Sequence, residues 1–118
     1  MKIDLFYLFV LITFKFGISQ TGEVTNHIYE GNKKAKTEAY VEAEKSYRKA
    51  ISLAPEKPEA LYNLGELFQE KGEFLKAIQN YKETLKINSR NPEVYNGIGN
   101  SFKSLGDLEE AILNYHKA

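Results

Sequence analysis

Apolar residues in the second half of the chain return at a three–four spacing. Leu61, Leu64, Leu67 and Phe68 form one run, and Phe74, Ala77, Ile78, Tyr81 and Leu85 form the next. That spacing keeps returning to one side of a 3.6-residue turn, so each run predicts an amphipathic helix. Gly72 stands between the runs, where a glycine can end a helix by entering the left-handed conformation. The pattern is then written again. Residues 58–81 read "PEALYNLGELFQEKGEFLKAIQNY" and residues 92–115 read "PEVYNGIGNSFKSLGDLEEAILNY", with Gly65, Phe68, Gly72, Ala77, Ile78 and Tyr81 each returning after 34 residues. The same offset reaches backwards to Gly31, Tyr40, Ala43 and Tyr47.

Three units follow: 24–57, 58–91 and a shorter 92–118. Each is expected to hold two antiparallel helices joined by a short turn. Asn91-Pro92 reads as an N-cap followed by proline at the first helical position, and Asp107 three residues before Glu110 reads as a capping pair. Gly65 and Ala77 are expected on facing helices of one hairpin, with Tyr81 and Phe68 filling the space between. One hairpin cannot bury its apolar faces alone, so the repetition predicts hairpins stacked on a shared core.

At "LYNLGELF" (61–68), "YNGIGNSF" (95–102), Ala77, Tyr81, Ala111, Tyr115, Ala43, Tyr47, Ala50 and Pro55, the sequence resembles the tetratricopeptide repeat family. The likeness spans about 95 of the 118 residues. It departs in the first unit, where Glu30 and Lys34 replace apolar residues, and at Ser89, which stands in place of a proline. The fold class it implies is all-α, a right-handed stack of helix-turn-helix hairpins (an α-solenoid). It also implies a concave groove lined by the first helix of each unit. The peptide-binding residues would be Asn32, Glu59, Tyr62, Asn63, Glu66, Asn96 and Asn100, flanked by Ile28, Tyr29, Lys36, Gln69, Glu93, Gly97 and Lys103. Some family members clamp an acidic C-terminal tail with two asparagines and three basic residues. Asn32 and Asn63 match the asparagines, but Ile28, Glu93 and Gly97 stand where the basic residues belong. The mapped charges Glu59, Glu66 and Glu93 against Lys36 and Lys103 give −1, so a neutral or mildly basic extended peptide is expected.

The first twenty residues, "MKIDLFYLFVLITFKFGISQ", are different material: Lys2, an apolar run from Leu5 to Phe14, then Gly17-Ile18-Ser19 before Gln20. This is the layout of a signal peptide over 1–19, cleaved after Ser19. Lys15 interrupts the run short of the twenty or so apolar residues that a spanning anchor needs. The expectation is therefore an exported protein, periplasmic or secreted, that meets a membrane only through this segment if it stays uncleaved. Removing 1–19 leaves 14 basic and 15 acidic residues, a net charge of −1.

The whole chain balances 16 basic against 16 acidic residues, which argues against binding nucleic acid by bulk charge. It has no cysteine, hence no disulfide or thiolate chemistry. No phosphate loop, nucleophile elbow or metal motif appears, and Gly97-Ile98-Gly99 lies inside a predicted helix. No enzyme activity, cofactor or metal is expected. The leading reading is an exported scaffold, similar to exported bacterial repeat proteins of the aerotolerance-operon type, that docks a protein or peptide. The alternative is the substrate-recruiting front of a longer enzyme, such as a glycosyltransferase or sulfotransferase.

Overall fold

The computed structural model describes residues 4–118; residues 1–3 and the side chains of 14–19 lie outside the described residues. Six helices follow one another: α1 (Leu5–Lys36), α2 (Tyr40–Leu53), α3 (Pro58–Glu70), α4 (Phe74–Ile87), α5 (Pro92–Ser104) and α6 (Leu108–Lys117). Among the described residues there is no strand. Helices pair as α1–α2, α3–α4 and α5–α6, and the pairs stack through α2–α3 and α4–α5. The result is an elongated α-solenoid, 70 × 31 × 15 Å.

The first helix of each hairpin ends where local chemistry stops it. Gly72 (φ 77°) and Gly106 (φ 85°) take the left-handed conformation. The Glu73 amide then donates to the Phe68 carbonyl at 2.8 Å, and the Asp107 amide to the Phe102 carbonyl at 2.9 Å, closing Schellman motifs. The first hairpin makes the same turn with Glu38 at φ 60°. Helix starts follow the sequence: Asn91 Oδ1 accepts from the Val94 amide, and Asp107 Oδ1 from the Glu110 amide.

A main core runs through all three hairpins, from Ala43 and Tyr47 through Leu64, Leu67, Phe68, Ala77, Ile78 and Tyr81 to Val94 and Ile98. Complete burial of each large aliphatic side chain stabilises the stack by roughly 1.5–3 kcal/mol. A satellite cluster joins Val24 and Ile28 of α1 to Ala50, Ala54 and Ala60. Gly65 and Ala77 stand on the facing helices α3 and α4, as expected, and Tyr81 fills the space between: a Cβ on Gly65 would fall 2.7 Å from its ring. Gly31 meets Tyr47 and Gly99 meets Tyr115 in the same way, so one glycine–tyrosine contact recurs in every hairpin.

The expected boundary between 19 and 24 falls inside α1, which runs as a single helix of 32 residues. Packing changes there even though the helix does not break. Leu5–Ile12 are exposed. Gln20 Nε2 donates to the Leu53 carbonyl at 3.1 Å, and Val24 is the first buried residue among those described. Ser19, the expected last residue before cleavage, has its side chain outside the described residues. Among the described residues no helix is long and apolar enough to cross a membrane.

Candidate functional site

Curvature comes from which helices touch. α1 approaches α3 and α3 approaches α5, whereas α2 and α4, and α4 and α6, make no such approach. The first helices of the hairpins therefore form the inner, concave side. Two hollows lie along it. One, between α1 and α3, is lined by Asn32, Lys36, Tyr47, Asn63, Glu66 and Glu70, among others. The other, between α3 and α5, has a volume of roughly 330 Å³ and is lined by Tyr62, Glu66, Gln69, Glu70, Tyr81, Glu93, Asn96, Gly97 and Asn100.

The structure thus brings together Asn32, Asn63 and Glu66 in one hollow, and Tyr62, Glu66, Asn96 and Asn100 in the next. Glu59 lines neither; it sits exposed in the first turn of α3, where a carboxylate complements the helix N-terminus. Ile28 is buried in the satellite core and presents nothing to the groove. Lys103 lines neither hollow. Gly97 is a floor rather than a contact surface: a Cβ there would fall 2.7 Å from the Tyr81 ring.

A tyrosine–amide ladder runs along the groove wall. The Tyr47 hydroxyl donates to Asn32 Oδ1 at 2.7 Å and the Tyr115 hydroxyl to Asn100 Oδ1 at 2.6 Å. Asn32 Oδ1 also accepts from Asn63 Nδ2 at 3.1 Å, so one of the two Asn63 amide N–H donors is already engaged. In the middle unit the position equivalent to Asn32 and Asn100 is Glu66. There the Tyr81 hydroxyl turns to Gln69 Oε1 at 2.9 Å, which leaves the Glu66 carboxylate to the groove.

The carboxylates set the local field. Among the described residues the ion pairs engage Glu44, Glu73 and Glu83; none reaches Glu66, Glu70 or Glu93. Burial, then a hydrogen bond with Glu66 and the charges of Glu66 and Glu93, pushes the Tyr62 hydroxyl up to about 12. Burial, then Glu66 and Glu70, pushes Tyr47 up to about 12. Tyr81 is pushed up too, by burial first and then by Glu66, Tyr62 and Glu70. At neutral pH these hydroxyls stay protonated and serve as hydrogen-bond donors.

Sequence reasoning missed Glu70, Tyr47 and Tyr81 as groove residues. Glu70 lies four residues after Glu66 and so on the same helix face; that spacing could have found it. The tyrosines read as core, and their rings are core. Only their hydroxyl ends reach the groove.

A stack of paired helices repeating every 34 residues, concave on its first-helix side, defines a helical-repeat protein of the solenoid class. The sequence pattern of the TPR repeat matches residues 31–72 and again residues 67–106, and the chain belongs to the TPR repeat family. No curated protein sequence matches it. Among solved structures it is similar to MamA (26% identity, TM-score 0.76), covering 80% of this chain and 55% of that one. The chain thus spans about half the length of that protein. It is also similar to the N-terminal domain of stress-induced protein-1 (STI-1) from C. elegans (22%, TM-score 0.77, 83% of each chain). A third likeness is to the first TPR of Spaghetti (RPAP3) bound to the HSP90 peptide SRMEEVD (24%, TM-score 0.77), covering 81% of this chain and 76% of that one.

Proposed function

We propose that the chain is an exported, non-catalytic scaffold that binds a peptide or protein partner in its concave groove. The observation that carries the binding reading is the groove itself. Two hollows run side by side along the inner helices, lined by amides, tyrosines and carboxylates that are not consumed by ion pairs. An extended peptide offers alternating amide donors and acceptors, which Asn96 and Asn100 side chains can meet. A solved neighbour of this fold holds the peptide SRMEEVD, and its likeness supports the groove as the place to look. An acidic tail of that kind suits this chain poorly, because Glu93 and Gly97 stand where basic clamp residues are needed. Export rests on the N-terminal layout, and on the exposure of Leu5–Ile12, which contribute nothing to the packed core.

A random-peptide display selection tests the binding reading. Asn96→Ala removes an exposed groove amide and should weaken captured peptides by about 1 kcal/mol, close to fivefold. Capture that is indifferent to Asn96 would move the site off the groove. Mass spectrometry of exported material should show Gln20 at the N-terminus; an intact Met1 in a membrane fraction would refute cleavage.

A further inference from the structure

The hollow between α3 and α5 has a definite chemistry. Its lining holds three carboxylates, Glu66, Glu70 and Glu93, and no basic residue. The charge count over the whole groove understated this, because Lys103 lies elsewhere and Lys36 lines only the neighbouring hollow, which shares Glu66 and Glu70 with this one. The partner of a carboxylate in such a place is a cation, and within this hollow the chain supplies none: no basic residue lines it, and the ion pairs among the described residues engage Glu44, Glu73 and Glu83 instead. Among the described residues no acidic cluster converges closely enough to hold a metal ion. The charges are spread around a cavity, which suits a large, delocalised cation better than a point charge.

The rest of the lining agrees. Tyr62 is half-buried, with its ring 5.8 Å from that of Tyr81 and tilted by 45°. It offers an aromatic face to a cation. Gln69, Asn96 and Asn100 add amide oxygens that accept hydrogen bonds. The glycine at Gly97 keeps the floor open, since any larger side chain there would meet Tyr81. Glu66 is the one break in the tyrosine–asparagine ladder. Where the other two units close a hydrogen bond from tyrosine to asparagine, the middle unit turns its tyrosine to Gln69 and presents a carboxylate beside Tyr62.

We infer that this hollow is a specificity pocket for an arginine side chain of the partner, seated against Tyr62 and answered by Glu66, Glu70 and Glu93. A guanidinium carries five N–H donors in a rigid plane, stacks on aromatic rings and pairs with carboxylates two bonds at a time. Lysine, with a compact ammonium, satisfies the charge but not the shape. This inference rests on the groove being the binding site.

The test uses the same random-peptide display, read with the wild-type chain, Asn96→Ala and the double variant Glu66→Gln/Glu70→Gln. Both glutamates are exposed, so the double variant should melt with the wild type in circular dichroism. Wild-type selections should enrich arginine at one fixed position. Replacing that arginine by glutamine should weaken the peptide about tenfold, and lysine less. The double variant should lose the arginine preference, and wild-type binding should fall as ionic strength rises. Peptides that depend on Asn96 yet show no arginine enrichment would overturn the pocket and leave the groove standing. Selective capture of acidic peptides would do the same. Failure to capture any peptide, or capture indifferent to both variants, would overturn the groove reading and the pocket with it.

Discussion

The second and third hairpins share one skeleton and differ in what surrounds it. Gly65 meets Tyr81 and Gly99 meets Tyr115 at nearly the same distance, 2.7 and 2.6 Å from a Cβ position. Yet Tyr81 is 1% exposed and Tyr115 36%, and Ile78 is 5% exposed where Ile112 is 55%. The cause is α5. It lays Gly97 against the Tyr81 ring, which also meets Gly65, and covers α4 with Val94 and Ile98. No described helix covers α6 in that way. Burial in a repeat array is therefore supplied by the neighbour, and identical residues carry different energies according to their place in the stack.

The largest expected effect breaks that comparison open. Tyr81→Ala removes a fully buried ring and should cost about 3–5 kcal/mol, the range for deleting a core aromatic. Tyr115→Ala removes a ring that is partly in water already and should cost less than half of that. Urea titrations of both variants measure the difference. Equal costs would show that α6 is covered by a contact, such as a second copy, and concentration-dependent midpoints would reveal it.

A smaller effect sharpens the same point at the glycines. Alanine at either position would push against the tyrosine, but helix propensity favours alanine. Tyr81 has glycines on two sides and no room to yield, so Gly65→Ala should destabilise by about 1–3 kcal/mol, the usual cost of overpacking. Tyr115 lies in a more open setting and can rotate outward, so Gly99→Ala should come out near neutral. Thermal melts of the two variants that matched each other would contradict the role given to Gly97.

How much of this was legible beforehand follows from the kind of signal. The helices, the turns at Gly72 and Gly106 and the caps at Asn91 and Asp107 were readable, because spacing and turn chemistry are local properties. The glycine–tyrosine contacts were half-readable. The 34-residue recurrence marked both residues and put Tyr81 in the space between the helices, but only the structure lays its ring directly on Gly65. The site was read as a face rather than as hollows. Asn32, Tyr62, Asn63, Glu66, Asn96 and Asn100 fell on it by helix register, while Glu59 and Ile28 did not, since a helix face is wider than the part its neighbours leave open. The continuity of α1 across residue 19 was not readable, because a change in composition need not interrupt a helix.

The smallest effect compares the first turn with the other two. Glu38, Gly72 and Gly106 occupy equivalent left-handed positions, at φ 60°, 77° and 85°. The hydrogen bonds that close the three turns are alike: the residue after each donates to a carbonyl five positions back at 2.9, 2.8 and 2.9 Å. Geometry is thus conserved while the residue is not, and the first turn carries a side chain in a region that costs an L-residue roughly 1–2 kcal/mol. Glycine would relieve that cost. It would also lose more freedom on folding, up to about 1 kcal/mol, which offsets part of the gain. Glu38 is exposed and makes no ion pair among those described, so little else is lost with its side chain. Glu38→Gly should therefore stabilise the chain by about 0.5–1 kcal/mol, seen as a higher urea midpoint with an unchanged slope. Gly72→Ala imposes the opposite change on the second turn and should destabilise by a similar amount. A Glu38→Gly variant that unfolds earlier than the wild type would mean that the Glu38 side chain supports the first turn rather than straining it.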